Sequence, residues 1–331
     1  MSHKISWIDN LRAVACMMVV MIHASTAQVV NFQALHSVEW TVANLLNSAS
    51  RVGVPLFFMI SGYLFFGEKS AAKRHFLRIG LCLLFYSVVS LIYIYSLTNI
   101  GFWPALKHIL QKPVFYHLWF FYAIGVIYLL SPFIRVKEVA GSYVLVAGII
   151  LGVLANPQLP VLDWLGVHLL PLNLYIGGDT FYYLLYALMG RAIGMLNTQK
   201  TGITASAVAL FILSTLGIAW GTRHQSLINQ NFADTFYVYC GPLVFISATS
   251  LYVMFKNTLS ARILPGLALI SRYSLAIYGF HALIVIGLRT AHIGFPQWPL
   301  LNIAFLFICG LFGSLVLALL LGKADRQHWV S

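Results

Sequence analysis

Arg12 and His23 stand eleven residues apart in the apolar run LRAVACMMVVMIHAS. Eleven steps of about 100° make roughly three helical turns, so the two side chains share one face about 16 Å apart. A guanidinium matches phosphate oxygens, and a neutral imidazole accepts a proton near neutral pH. Ionisable groups at membrane depth are costly, which makes them functional candidates. The pair suits chemistry in which a phosphorylated donor is anchored at the surface and a hydroxyl is deprotonated deeper in. The bland alternative is that Arg12 snorkels to lipid phosphate while His23 bonds a neighbouring helix.

Other chemistry-bearing residues lie on later segments. In Lys73-Arg74-His75-Phe76-Leu77-Arg78, Arg74 and Arg78 are four apart and share a helix face. With Lys73 they flank a membrane helix or clamp the phosphates of a cytosolic ligand such as coenzyme A. In Arg51-Val-Gly-Val-Pro55, the proline predicts a kink and a freed carbonyl, while Ser61-Gly62 permits close helix approach. The kink either serves helix packing or makes room for substrate, with Arg51 then facing an anionic or sugar acceptor. His117, in Tyr116-His117-Leu-Trp119, is less expected in an aromatic belt than its neighbours. Asp179 is placed in the outer part of a helix, where it pairs with Arg51 or His117 or binds a sugar hydroxyl. His281 falls near mid-depth. Arg272, nine residues earlier, projects from the opposite face of an ideal helix, so one cavity cannot receive both. The chain has no Walker loop, no GxGxxG, no nucleophile motif and no Cys/His metal spacing, so neither covalent catalysis nor a metal site is expected.

The elements that position these residues follow from composition. Of 331 residues, 60% are hydrophobic and only 8% charged, where a soluble domain carries about 25% charged; mean hydropathy is +0.86. The expected fold is an all-α polytopic membrane helix bundle, a single domain over 1–331. Ten apolar segments are predicted, near 11–30, 43–66, 76–97, 116–134, 142–155, 174–196, 203–221, 235–255, 267–288 and 299–322. Turn chemistry at Gly67, Asn156-Pro157, Pro160, Pro171, Asn197, Pro265-Gly266 and Pro296 separates them. With the N-terminus in the cytoplasm, 15 of the 20 Lys and Arg residues, Lys4 and Arg326 among them, fall inside. Only Arg51, Lys107, Lys112, Arg223 and Arg289 fall outside, which puts both termini in the cytoplasm. A column of polar groups then crosses the bundle. The net charge of +12 is read as topology and contact with anionic lipid, not as nucleic-acid binding. Cys16, Cys82, Cys240 and Cys309 sit in apolar runs and read as small apolar residues. The first segment mimics a signal peptide, but Asp9 and Arg12 fit the flank of a retained helix.

At these motifs the sequence resembles acyltransferase family 3, integral-membrane O-acyltransferases. The matching pieces are Arg12-x10-His23, Phe57-Phe58-Met59-Ile60-Ser61-Gly62-Tyr63, the basic opening Lys73, Arg74 and Arg78, His117-Leu-Trp119-Phe120, and Tyr278-Gly-Phe-His281. The runs WIDNLRAVACMMVVMIH, SASRVGVPLFFMISGYLFFGEKS and NFADTFYVYCGP are similar to members that modify enterobacterial common antigen. The resemblance implies a bacterial inner-membrane enzyme moving acetyl from acetyl-CoA to a sugar hydroxyl of a cell-surface glycan or its polyprenyl-linked precursor. It implies His23 as base, Arg12, Lys73, Arg74 and Arg78 as contacts of the cofactor's phosphates, and Arg51, Ser61, His117, Asp179 and His281 around the acceptor. Many members add a soluble hydrolase-like domain, for which this sequence has no counterpart. The competing expectation is a secondary transporter for a sugar, acid or lipid. No inverted repeat is visible to support it, and Asp179 is the one buried carboxylate it would have to use.

Overall fold

In lipid, a backbone that cannot reach water must satisfy its own polar groups, and helix is the way a single apolar segment does so. The computed structural model describes residues 5–97, 102–159, 162–164, 167–169, 171–260, 262–325, 327 and 329–331. Lys4, Arg326 and Pro160 lie outside the described residues. The helices are α1 (Ser6–Val29), α2 (Val38–Ser50), α3 (Gly53–Phe65), α4 (Lys73–Leu97), α5 (Phe102–Lys107), α6 (Trp119–Leu130), α7 (Gly141–Ile149), α8 (Asp179–Met195), α9 (Thr201–Asn229), α10 (Pro242–Thr258), α11 (Leu267–Arg272), α12 (Ser274–Thr290) and α13 (Pro299–Ala324). Strands β1 (Leu162–Trp164) and β2 (Val167–Leu169) form an antiparallel hairpin, a small addition to the expected all-helical architecture.

Each of the ten apolar segments contains helix. Among the described residues, seven helical stretches are long and apolar enough to cross a membrane: Ser6–Val29, Val38–Phe65, Lys73–Ser96, Tyr116–Phe133, Thr201–Asn229, Thr235–Thr258 and Pro299–Ala324. The stretches Gly141–Leu154 and Ser274–Thr290 are shorter, as is α8 with 17 residues. About 20 residues are needed for the full hydrocarbon thickness.

Three local departures shape the site. The second segment breaks into α2 and α3 at Arg51–Val52. Pro55 lacks the N–H that would bond the carbonyl of Arg51, four residues back, so the bend falls there and turns Arg51 inward. The ninth segment breaks at Tyr273, between α11 and α12. The break interrupts the helical phase between Arg272 and His281, and Arg272 lines a cavity that His281 does not line, in keeping with the expectation that one cavity does not receive both. In the sixth segment the helix, α8, starts at Asp179, not near residue 174, because Gly178 adopts φ +80° immediately before it, a conformation natural to glycine. Asp179 thus occupies the first turn, where the helix dipole favours a carboxylate.

α1 is the hub, packing against α2, α3, α10, α11, α12 and α13. Its buried Asn10 pins the loop before α11: Nδ2 donates to the Arg262 carbonyl at 2.9 Å, and Oδ1 accepts from the Leu264 N–H at 2.9 Å. Trp7 meets Tyr63 and Tyr252 edge-to-face, with centroids 5.2 and 5.1 Å apart. α3 and α8 cross at glycine contact points. A Cβ on Gly62 would strike the Ala187 backbone, and one on Gly190 the Met59 backbone, the close approach expected of Ser61-Gly62.

Candidate active site

One face of α1 turns toward α11 and α12. Arg12 Nη1 lies 3.5 Å from Ser271 Oγ, Cys16 Sγ lies 3.7 Å from the Ser274 carbonyl, and the His23 and His281 rings are 5.0 Å apart. The sequence spacing of Arg12, Cys16 and His23 accounts for this shared direction.

At the Arg12 end lies a cavity of about 890 Å³. Arg12, Arg78, Arg272 and His75 supply its basic lining, with Asp9, Ser61 and Ser271 as further polar groups and Phe57, Ile60, Phe120 and Ile124 among its apolar walls. Arg12 is not a free charge: Nη1 donates to Asp9 Oδ1 at 2.8 Å, and Ser271 Oγ donates to the same oxygen at 3.1 Å. Guanidiniums at one end and aromatic and aliphatic walls at the other fit a ligand with phosphates and a slender, weakly polar arm.

Beyond this cavity stands Tyr278, which lines it and whose ring centroid is 5.7 Å from that of His281. His23, His117 and His281 gather here. The His281 ring is 5.0 Å from His23 and 5.4 Å from His117. Two of the rings are held by backbone carbonyls, which only accept. His117 Nε2–H therefore donates to the Gly279 carbonyl at 3.2 Å, and His281 Nδ1–H to the Tyr278 carbonyl at 2.7 Å. Their other nitrogens, His117 Nδ1 and His281 Nε2, keep their lone pairs, buried and without a hydrogen-bond partner. Tyr278 also donates its hydroxyl to the His117 carbonyl. His23 differs: it is partly accessible, and its Nδ1 meets the Tyr116 hydroxyl at 3.1 Å. With Nδ1–H donating to Tyr116, Nε2 carries the lone pair a base requires.

A second cavity, of about 360 Å³, opens on the other side of His23. Thr26, one turn past His23, lines it together with Asn47, Arg51, Asp179, Asp234 and the rings of Tyr183, Phe232, Tyr237 and Tyr239. Arg51 Nε donates to Asn47 Oδ1 at 2.9 Å, and the guanidinium lies over Tyr237, 4.1 Å from the ring centroid. Trp119 stacks on both Tyr183 and Tyr239. Rings edged by carboxylates, an amide and a guanidinium can grip a polyhydroxyl ring by its faces and its hydroxyls.

The structure therefore divides the sequence-derived residues into three groups. Arg12, Arg78 and Ser61 share the first cavity; His23, His117 and His281 share the centre; Arg51 and Asp179 share the second cavity. Lys73 and Arg74 line neither cavity, although they open the same helix as Arg78. Arg74 lies instead over Trp329, 6.0 Å from its ring centroid. The polar column expected through the bundle is interrupted at Tyr278, since His23 does not line the Arg12 cavity. Sequence reasoning left Tyr116 and Tyr278 without roles and did not count Arg272 among the site residues, although it separated Arg272 from His281. Arg272 lines the first cavity together with Ser271 before the break at Tyr273 and Ser274 and Tyr278 after it.

Among the described residues, no group of three or more His, Cys, Asp and Glu is placed to hold a metal ion. What the fold itself defines is a multi-pass membrane protein in which three imidazoles, those of His23, His117 and His281, gather in the interior and two cavities of different chemistry lie toward either end of α1. The family follows from comparison: a family model described as an acyltransferase domain, Acyl_transf_3, matches residues 5–322. The chain belongs to this family of membrane-embedded acyltransferases. Comparison with curated proteins and with solved structures returned no match.

Proposed function

We propose that the protein is an O-acetyltransferase that moves acetyl from acetyl-CoA to a sugar hydroxyl of a cell-surface glycan or its lipid-linked precursor. Enterobacterial common antigen is the glycan its sequence motifs favour. The observation that carries this reading is the place of His23 along α1: Asp9 and Arg12 before it line a basic cavity and Thr26, Val29 and Val30 after it line an aromatic, carboxylate-edged one, while His23 itself lines neither. Arg12 and Arg78, with Arg272 beside them, hold the donor's phosphates. The pantetheine arm runs along Phe57, Ile60, Phe120 and Ile124 and passes Tyr278. The acceptor sugar lies against Tyr183, Tyr237 and Tyr239, with Asp179 and Arg51 at its hydroxyls.

His23 Nε2 takes the hydroxyl proton as the oxygen attacks the thioester carbonyl. A C–O bond forms, the C–S bond breaks, and the leaving thiolate of CoA receives the proton back from the imidazolium. Base catalysis of this kind contributes about 10²–10⁴-fold; two cavities that fix donor and acceptor on either side of the base supply positioning as well. The short helices α7, α8 and α12 complete ten passes with both termini in the bacterial cytoplasm, a reading supported by the 15-to-5 distribution of basic residues. The donor cavity then faces the cytosol of the inner-membrane protein. Mass spectrometry of surface glycans from cells with and without the protein tests the proposal. Loss of one acetyl unit is expected, and an unchanged acetylation pattern contradicts it.

Cavities at both ends of a bundle also favour a carrier. Uptake of a sugar or acid by proteoliposomes lacking acetyl-CoA would support that second reading.

A further inference from the structure

The segment after α13 folds back onto α4 along one stripe. Arg74, Arg78, Cys82 and Tyr86 are each four residues apart, so they wind only about 40° per step around the helix. All four touch the same short segment. Arg74 lies over the Trp329 ring, Arg78 Nη2 donates to the Ser331 backbone oxygen at 3.0 Å, Cys82 Sγ lies 3.3 Å from the Trp329 carbonyl, and the Tyr86 hydroxyl donates to the Val330 carbonyl at 2.6 Å. The opposite edge of that segment is held by Asp325. Its Oδ1 accepts from the Trp329 N–H at 3.0 Å, and its Oδ2 from those of Val330 at 2.7 Å and Ser331 at 2.9 Å. The N–H groups of three successive residues thus converge on one carboxylate, while their carbonyls face α4. Arg78 is the member of the stripe that lines the basic cavity, and its Nε is buried without a partner.

We infer that this segment is a strap that presets Arg78 for the donor's phosphates, with Asp325 as its positioning residue. The inference rests on the proposed role of Arg78 in donor binding. A free arginine loses rotamer freedom when it engages an anion. Tethering Nη2 to the strap removes much of that loss before the donor arrives. Nε remains unsatisfied on a side chain that lines the cavity, and a phosphate oxygen can fill that place. The strap also engages Arg74 through Trp329, which accounts for one arginine of the pair lining the cavity and the other not.

The test compares the full-length wild type with Asp325→Asn and Tyr86→Phe in nanodiscs, by CoA binding and by steady-state acetyl transfer. Asp325→Asn is expected to raise the acetyl-CoA KM about tenfold and Tyr86→Phe about threefold. The acceptor KM, and kcat at saturating donor, should stay within about twofold. Limited proteolysis should cut near Trp329 faster in Asp325→Asn. A merely structural strap would lower the amount of folded enzyme without this split. An unchanged donor KM in both variants, with wild-type CoA binding intact, overturns the strap. Absence of CoA binding by the wild type overturns the donor assignment and, with it, the strap.

Discussion

Replacing Arg78, Arg74, Arg12 and Asp9 one at a time should separate donor contact from topological flanking. Arg78 lines the basic cavity with Nε unpaired. Its loss removes a charge-assisted hydrogen bond of about 1.5–3 kcal/mol, so Arg78→Ala should weaken CoA binding roughly 10- to 150-fold. Arg74, one turn earlier, does not line the cavity, and Arg74→Ala should leave affinity within about twofold. Arg12 shares its charge with Asp9 at 2.8 Å, so Arg12→Ala should fall between these. Asp9→Asn unmasks the Arg12 charge and should tighten CoA binding severalfold. Calorimetry of CoA with each variant in nanodiscs reads all four, and the Arg78 effect should shrink at high salt. Equal losses for Arg74→Ala and Arg78→Ala, or weaker binding in Asp9→Asn, would refute the cavity as the phosphate site.

Tyr116→Phe removes the partner of His23 Nδ1. Losing a neutral hydrogen bond of about 0.5–1.5 kcal/mol should lower kcat about two- to tenfold in a steady-state assay, with donor KM unchanged. Gly62→Leu forces a side chain into the Ala187 backbone. Separation of α3 from α8 should cost about 3 kcal/mol or more, seen as a lower Tm in detergent than for the exposed control Leu77→Ala. At Asp325, partial burial raises the carboxyl's pKa, but the backbone N–H groups of Val330, Trp329 and Ser331 outweigh it and hold it below the ordinary carboxylate range. A lowered folded value means that this stabilisation is complete above the unfolded carboxylate pKa and is lost as pH falls through the folded value. Proteolytic cleavage near Trp329 should therefore be slow at neutral pH and accelerate as pH falls through the lowered carboxyl pKa, whereas Asp325→Asn should be cut readily at neutral pH.

Hydropathy carried the helices because every apolar run long enough to need internal hydrogen bonding became one. Breaks were legible where a residue imposes them, as at Pro55, whose missing N–H marks the α2–α3 bend. The break at Tyr273 was not, since Ser271-Arg272-Tyr273-Ser274 holds no proline or glycine that would impose one. The common direction of Arg12 and His23 is a property of one helix and follows from spacing alone. The meeting of His23 with Tyr116 and His281 joins three distant parts of the chain, and such a contact leaves no periodic trace. Arg74 and Arg78 show the limit of a shared-face argument: four residues of separation point both the same way, yet only one reaches the cavity. The remaining drift and the neighbouring strap decide between them.

The central claim is that the His23 imidazole deprotonates the acceptor hydroxyl. The most direct measurement is acetyl transfer from labelled acetyl-CoA by folded His23→Ala protein, with CoA affinity determined on the same sample. The account predicts a rate at least 10²-fold below wild type with CoA affinity within about twofold. A near wild-type rate from the folded variant would contradict it.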